Sequence, residues 1–270
     1  MIDARRLCLC KYSGGKSRIA RWVVRHLPQH DRYVEAFAGA ANVLLNKPRV
    51  RSEWLIEREP SQANLLRVVR DRGAELAARL SRSRHCRDTF DEVRDRLRRG
   101  EWGDDLELAE LVYLRQQLSW GGVGRIYSYR SRRAIPAMWS RCLGQLPRIS
   151  ARLHGVEIIE GDSMGWIPLL DGPDTLFYCD PPYLWSTRSD YRFYHHEMDD
   201  GAHRDLLSVL DAVCGKVVIS GYPDPLYDRS LEGWARVSIE TRCHVYSGSH
   251  RPKRTEVLWM SHARRSSRPG

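Results

Sequence analysis

The chain has 270 residues, of which 42% are hydrophobic and 29% charged, a composition that excludes a disordered chain and suits one large domain or two modest ones. No apolar run approaches the ~18 residues of a membrane helix, and the polar stretch from Met1 to Ser17 lacks a signal-peptide core, so the expectation is a cytoplasmic protein with no membrane partner. The net charge of +10 makes a polyanion a fitting partner.

In chain order, Ile19, Trp22, Val23 and Leu27 share one face and predict a helix over 17–27, ended by Pro28. Tyr33–Phe37 reads as a strand, Gly39 as a turn into a helix around Ala40–Asn46, and Trp54–Glu57 as a second strand. Helices are expected over Ser61–Arg72, Ala74–Leu80, 88–99 and 105–119, then strands over Val156–Glu160 and Thr175–Cys179. Leu206, Leu207 and Leu210 give Asp199–Cys214 an amphipathic helical pattern. Lys216–Ser220 reads as a buried strand, and Val237–Tyr246 with Thr255–Ser261 as a closing β-pair. Strands alternating with helices at both ends of the chain predict an α/β sheet with helices on both faces. The helical, basic stretch 73–153 interrupts that alternation and reads as an inserted domain, leaving 1–72 and 154–262 as the main domain and 263–270 as a flexible tail.

The cysteines are scattered, odd in number and never spaced Cys-x-x-Cys, which points to reduced thiols rather than a disulfide scaffold or zinc finger. The adjacent pair His195-His196 lacks the spacing and carboxylate of a metal site, so no metal is expected. Ser208 and Ser220 lack a matching His/Asp pattern for a hydrolase triad.

Charge is concentrated in one place. From Leu111 to Arg152 there is no acid, and the stretch holds Arg115, Arg125, Arg130, Arg132, Arg133, Arg141, Arg148 and Arg152. Tyr113, Trp120, Tyr127, Tyr129 and Trp139 are interleaved with them, and Gly121, Gly122 and Gly124 suggest a mobile loop. Guanidinium groups neutralise phosphates or read guanine edges, and aromatics stack on displaced bases. The plain alternative is a solvated basic face over core aromatics. The candidates for nucleic-acid contact are Arg115, Trp120, Arg125, Arg130, Arg132, Arg133 and, from the aromatic-basic loop further on, Arg188.

Three short clusters carry the chemistry: Lys11-Tyr12-Ser13-Gly14-Gly15-Lys16, then Tyr33-Val34-Glu35-Ala36-Phe37-Ala38-Gly39-Ala40, then Asp180-Pro181-Pro182-Tyr183. The first lacks the spacing of a phosphate loop. The order of the three, from about Lys11 to Ser261, resembles the Dam-type (class alpha) DNA adenine-N6 methyltransferases. In that resemblance Tyr12–Lys16 stands for the family's aromatic-x-Gly-Gly-Lys opening. Glu35, Phe37 and Gly39 stand for its Glu-x-Phe-x-Gly loop, and Asp180–Tyr183 for its Asp-Pro-Pro-Tyr motif. The stretch Arg115–Val123 resembles phage-like members, while Ala36, Ala40 and Ala41 depart from the usual loop.

The resemblance implies a Rossmann-like sheet and S-adenosyl-L-methionine as cofactor, with S-adenosyl-L-homocysteine as product. It implies double-stranded DNA as partner, a cognate restriction endonuclease as a further candidate partner, and a monomer or weak dimer. The implied catalytic residues are Asp180, Pro181, Pro182 and Tyr183. The implied cofactor residues are Tyr12, Gly14, Gly15, Lys16, Glu35, Phe37, Ala38, Gly39, Glu57, Asp162 and Asp180, with Glu57 in the place of the family's Asp and Glu59 as its possible substitute. Gly39 would let backbone approach the cofactor, and Tyr183 would offer a face for the target base. Asp162 could meet the cofactor's adenine or simply cap a helix. Two other readings stay open: cytosine-N4, RNA or protein-glutamine methylation on the same fold, and a non-catalytic nucleic-acid-binding protein.

Overall fold

The structure, a computed structural model, describes residues 6–129, 133–187, 196–242 and 253–261. Its strands are β1 (Arg32–Ala36), β2 (Ser52–Glu57), β3 (Glu157–Glu160), β4 (Thr175–Cys179), β5 (Lys216–Gly221), β6 (Ala235–Arg242) and β7 (Lys253–Met260). They form one 7-stranded sheet in the order β3-β2-β1-β4-β5-β7-β6. β1 runs parallel to β2 and β4, and β4 parallel to β5, whereas β7 is antiparallel to both β5 and β6. From β1 the chain winds one way through β2 to β3 and the other way through β4 to β5. The winding therefore reverses between β1 and β4, the kind of place where open α/β sheets bind ligands.

The central strands are apolar runs because both their faces are covered. Every residue of β4 is buried, as are all but the first of β1 and β5. Val34, Ile56, Phe177, Ile219 and Trp259 pack with Leu206 and Leu210 of helix α8 (Asp200–Ala212) into one core. Each such side chain contributes about 1.5–3 kcal/mol relative to exposure. The β4 and α8 expectations hold nearly to the residue, since both are strongly patterned and sharply bounded.

The other helices are α1 (Ala20–His26), α2 (Pro60–Leu80), α3 (Arg87–Arg99), α4 (Asp105–Leu118), α5 (Ile135–Leu143), α6 (Leu146–Leu153), α7 (Ser163–Leu169) and α9 (Pro225–Ser230). The two helices read over 61–72 and 74–80 together make up α2, following one another across a kink at Arg72 (φ −131°, ψ 30°). Its next residue, Gly73, lies so close to α6 that a Cβ there would sit 2.9 Å from Ser150 Cβ. Asp104 starts α4 by accepting from the Glu107 N–H at 2.8 Å. The acids just ahead of the basic stretch are neutralised locally, Glu107 by Arg96 and Glu110 by Arg79.

Two compact units make up the chain, one of Met1–Arg21, Gly39–Lys47 and Glu59–Ile158, the other of Trp22–Ala38, Pro48–Arg58 and Ile159–Gly270. The stretch 73–153 lies wholly in the first, which holds α2 to α6. The second holds nearly all of the sheet with α7, α8 and α9.

The helix expected over Ala40–Asn46 does not form. Gly39 and Ala41 both have φ of 51°, left-handed values that break a helix, and only a single 3-10 turn follows at Leu44–Asn46. The helices α5, α6, α7 and α9 carry no strong sequence signal: each is short and contains proline. Residues 243–246 of the expected closing strand, and the tail 263–270, lie outside the described residues. Among the described residues no helix is long and apolar enough to cross a membrane.

Candidate active site

Ala36 pairs with both Ile56 and Cys179, and Cys179 with Ile219. One residue further on, Glu57, Phe37, Asp180 and Ser220 therefore form a row across the carboxyl ends of β2, β1, β4 and β5. This is the ligand edge of a parallel sheet. Phe37 sits at φ 65°, a conformation costing a bulky residue about 1–3 kcal/mol and typical of functional turns. The Ala38 N–H holds the turn by donating to the Ile56 carbonyl at 2.9 Å.

Asp180 extends from β4. Its Oδ1 accepts from Ser220 Oγ at 2.9 Å, and Ser220 Oγ lies 3.1 Å from the Tyr178 phenol oxygen. Burial, and then the nearby Asp180 charge, push the Tyr178 phenol and the Cys179 thiol well up, so both stay protonated. Pro181 and Pro182 follow without backbone N–H groups to compete for the carboxylate. Tyr183 donates its hydroxyl to Glu256 Oε2 on β7 at 2.7 Å, and its ring meets the Tyr222 ring at 4.6 Å between centroids. The open stacking face expected of Tyr183 is not there: the residue is 6% exposed, while nearby in the chain Trp185 is 50% exposed.

Glu35 is buried within β1 and accepts from the Tyr33 hydroxyl at 2.9 Å. Burial and then the Glu35 charge raise that phenol well above its ordinary range. Glu57 is buried at the end of β2, and its carbonyl accepts from the Gly161 N–H after β3 at 3.0 Å. Asp162 is exposed at the start of α7, and its side chain makes no capping hydrogen bond. Glu59, the possible substitute for Glu57, stands instead at the start of α2 and accepts from Ser61 Oγ at 2.8 Å.

In the first unit, the Tyr12 ring closes on Gly39, where a Cβ would lie 2.6 Å from Tyr12 Cε1. Gly39 is thus required by this aromatic contact and by its own φ of 51°, before any ligand is considered. The Gly39 carbonyl accepts from Gln62 Nε2 at 2.6 Å, Gln62 Oε1 accepts from Gln116 Nε2 at 2.6 Å, and Gln116 Oε1 accepts from Cys10 Sγ at 2.7 Å. Gln62 lies outside every singled-out motif, and Gln116 belongs to the Arg115–Val123 stretch, but the link between them was not anticipated. Lys16 is buried, with Nζ donating to the Gly14 carbonyl at 3.1 Å.

In the basic segment Gly122 and Gly124 are closely packed. Gly121, Gly122 and Gly124 have φ of 63°, 78° and 79°, and Gly122 lies against the Lys11–Tyr12 backbone. Lys11 Nζ donates to the carbonyls of Gln117 and Ser119, tying the end of α4 to the same strip. Arg115 is half-buried under Gly124, and burial lowers its guanidinium somewhat, against the pull of Glu59 and then Tyr12. Trp120, Arg125, Ile126, Tyr129 and Arg133 are exposed, whereas Tyr113 and Tyr127 belong to the core. Arg130, Arg132 and Arg188 lie outside the described residues, as does His195. Among the described residues no group of three or more His, Cys, Asp or Glu side chains could hold a metal ion.

Two solved structures are distantly similar. Precorrin 8W decarboxylase of Methanobacterium thermoautotrophicum is 11% identical over 90% of this chain and 89% of that one, with a TM-score of 0.37. A protein put forward as an RNA methyltransferase of Pyrococcus horikoshii is 10% identical over 93% of this chain and 83% of that one, with a TM-score of 0.40. No curated protein matches the sequence. A family model described as D12 class N6 adenine-specific DNA methyltransferase matches residues 12–247. That span includes the Tyr12–Lys16 cluster, the strained turn at Phe37, the row at the strand ends and the basic segment, and the chain belongs to the D12 class N6 adenine-specific DNA methyltransferase family.

Proposed function

We propose that this chain transfers a methyl group from S-adenosylmethionine to the exocyclic 6-amino group of adenine in double-stranded DNA. The observation that carries this reading is Asp180, held by Ser220 at the carboxyl end of β4 and followed by Pro181-Pro182-Tyr183, in a member of this family.

The edge of the second unit suits the cofactor. Glu57 and Asp180 stand in the row at the strand ends, and Glu35 lies two residues before the row on β1, in a chain whose net charge is +10. Carboxylates there favour a cation and disfavour a phosphate. When bound, S-adenosylmethionine supplies an electrophilic methyl group on a positively charged sulfur. Glu57 is the candidate acceptor for its ribose hydroxyls, with Phe37, Ala38 and Asp162 as further contacts. The cofactor roles proposed for Tyr12, Gly14, Gly15, Lys16 and Gly39 concern the first unit by itself.

An aromatic amine is a poor nucleophile because its lone pair is delocalised into the ring. The Asp180 carboxylate and the Pro181 carbonyl accept hydrogen bonds from its two N–H groups, which favours a pyramidal nitrogen with a directed lone pair. Alignment and charge placement then supply most of the acceleration. An adenine in a duplex must leave the stack to reach such a site. The acid-free segment of the first unit, with exposed Arg125, Arg133, Trp120 and Tyr129, is the proposed target-recognition surface.

Neutralising Arg125 and Arg133 together should weaken DNA binding at every sequence and reduce the salt slope by about 1.8. A slope unchanged from the parent chain in binding titrations at several salt concentrations would move the DNA surface elsewhere. The substrate class is tested by presenting methyl-labelled S-adenosylmethionine with double-stranded DNA, RNA and protein in parallel. Label is expected in DNA. Label confined to RNA or protein would overturn the reading.

A further inference from the structure

Asp180 sits at the end of a directed chain of hydroxyl groups. Ser220 Oγ is 2.9 Å from Asp180 Oδ1 and 3.1 Å from the Tyr178 hydroxyl, whereas the Cys179 carbonyl lies further from it at 3.4 Å. A serine hydroxyl has one hydrogen to give, and a charged acceptor makes the stronger bond. Ser220 therefore donates to the carboxylate and accepts from Tyr178. Tyr178 stays a neutral donor, because burial and then the Asp180 charge hold its phenol well up. Ser220 and Tyr178 are each 1% exposed. The placement follows from the register, since Cys179 pairs with Ile219 and the next residues on β4 and β5 are Asp180 and Ser220.

We propose that Ser220 is a positioning residue: its hydroxyl sets the rotation of the Asp180 carboxylate, so that the carboxylate's remaining acceptor capacity meets the amino group of the methyl-accepting base. This rests on the role given to Asp180 above. An aspartate carboxylate turns in a broad, roughly two-fold well, while the reaction needs its acceptor at a fixed place. A misplacement of 1 Å can cost about 100-fold in rate. The neighbours Val217, Val218 and Ile219 are apolar and buried, and a hydroxyl among them would cost stability unless it were bonded. A bond to Tyr178 alone would satisfy it structurally, so the test must separate the two roles.

The test measures single-turnover rates and KM for the full chain with labelled S-adenosylmethionine and double-stranded DNA. The variants are Ser220→Ala, Ser220→Cys, Asp180→Asn and the double variant Asp180→Asn with Ser220→Ala. Cysteine keeps the volume but is a weak donor, so it serves if alanine does not fold. Ser220→Ala and Ser220→Cys should each lower the rate by about 10- to 100-fold, with KM for either substrate within about threefold of the parent. In the Asp180→Asn background, losing the hydroxyl should add less than about threefold, because the two groups act as a unit. A parent-like rate in Ser220→Cys, a loss carried in KM, or a full multiplicative loss in the Asp180→Asn background would overturn the proposal. A parent chain that methylates no base in the same assay would overturn the reaction itself along with it, which sets that failure apart.

Discussion

Replacing Asp180 by alanine is expected to lower methyl transfer by about 1,000-fold or more while S-adenosylmethionine affinity changes by only a few-fold. The substitution removes the carboxylate that Ser220 holds at the end of β4, and with it the acceptor for the amino hydrogens. It removes nothing from Glu57 or the Phe37 turn, which stand on β2 and after β1. A loss of the rate with binding retained marks an interaction made in the transition state rather than in the ground state. Single-turnover kinetics and equilibrium binding, measured on the same preparation, separate the two. A variant that turns over within about tenfold of the parent, or one that loses the cofactor altogether, would remove Asp180 from the role assigned to it.

The second large effect is on stability. Gly122→Ala should destabilise the first unit by about 2–4 kcal/mol. A Cβ at this position would lie 2.6 Å from both the carbonyl carbon and the carbonyl oxygen of Lys11 and 2.8 Å from the Tyr12 nitrogen, at φ +78°. These are backbone atoms, so no side chain can swing aside. Gly100 supplies the control, since it has φ +71° and nothing within 4 Å of its would-be Cβ. Gly100→Ala should cost only the left-handed conformation itself, about 1–2 kcal/mol. Chemical denaturation of both variants reads the difference. Equal midpoints would mean that the Lys11–Tyr12 strip is not packed on the glycine turn.

Much of the second unit was legible because its signals are local. Thr175–Cys179 is a short apolar run stopped by Asp180-Pro181-Pro182, and it forms β4 with the motif at its end. Val217 to Ser220 likewise reads as a covered strand. The contacts that complete the site were not legible, because they depend on strand register between distant residues. Ser220 is 40 residues from Asp180, and Glu256 is 73 from Tyr183. Neither serine nor glutamate at those places carries a pattern. The buried Tyr183 follows from the same cause: a motif places a residue in the chain but does not say what packs over it.

Around the Gly39 loop, local reasoning singled out the glycine but not the side chain packed against it. A glycine there suggested room for a ligand, whereas the atom in the way of a side chain belongs to Tyr12. The run from Ala40 to Leu45 has the apolarity of a buried helix, yet Ala41 is left-handed and the helix does not form. Tertiary packing overrides propensity at such a turn. The basic segment shows the same limit. Its charge was plain in the composition, but which aromatics face outward was not, and Tyr129 at 73% exposed and Tyr127 at 8% differ by two residues.

The most direct test of the reaction is to incubate the protein with methyl-labelled S-adenosylmethionine and unmethylated double-stranded DNA, digest the DNA to nucleosides and identify the one that carries the label. The expected product is 6-methyladenine. Label in cytosine, or DNA that stays unlabelled while the protein binds the cofactor, would contradict the assignment.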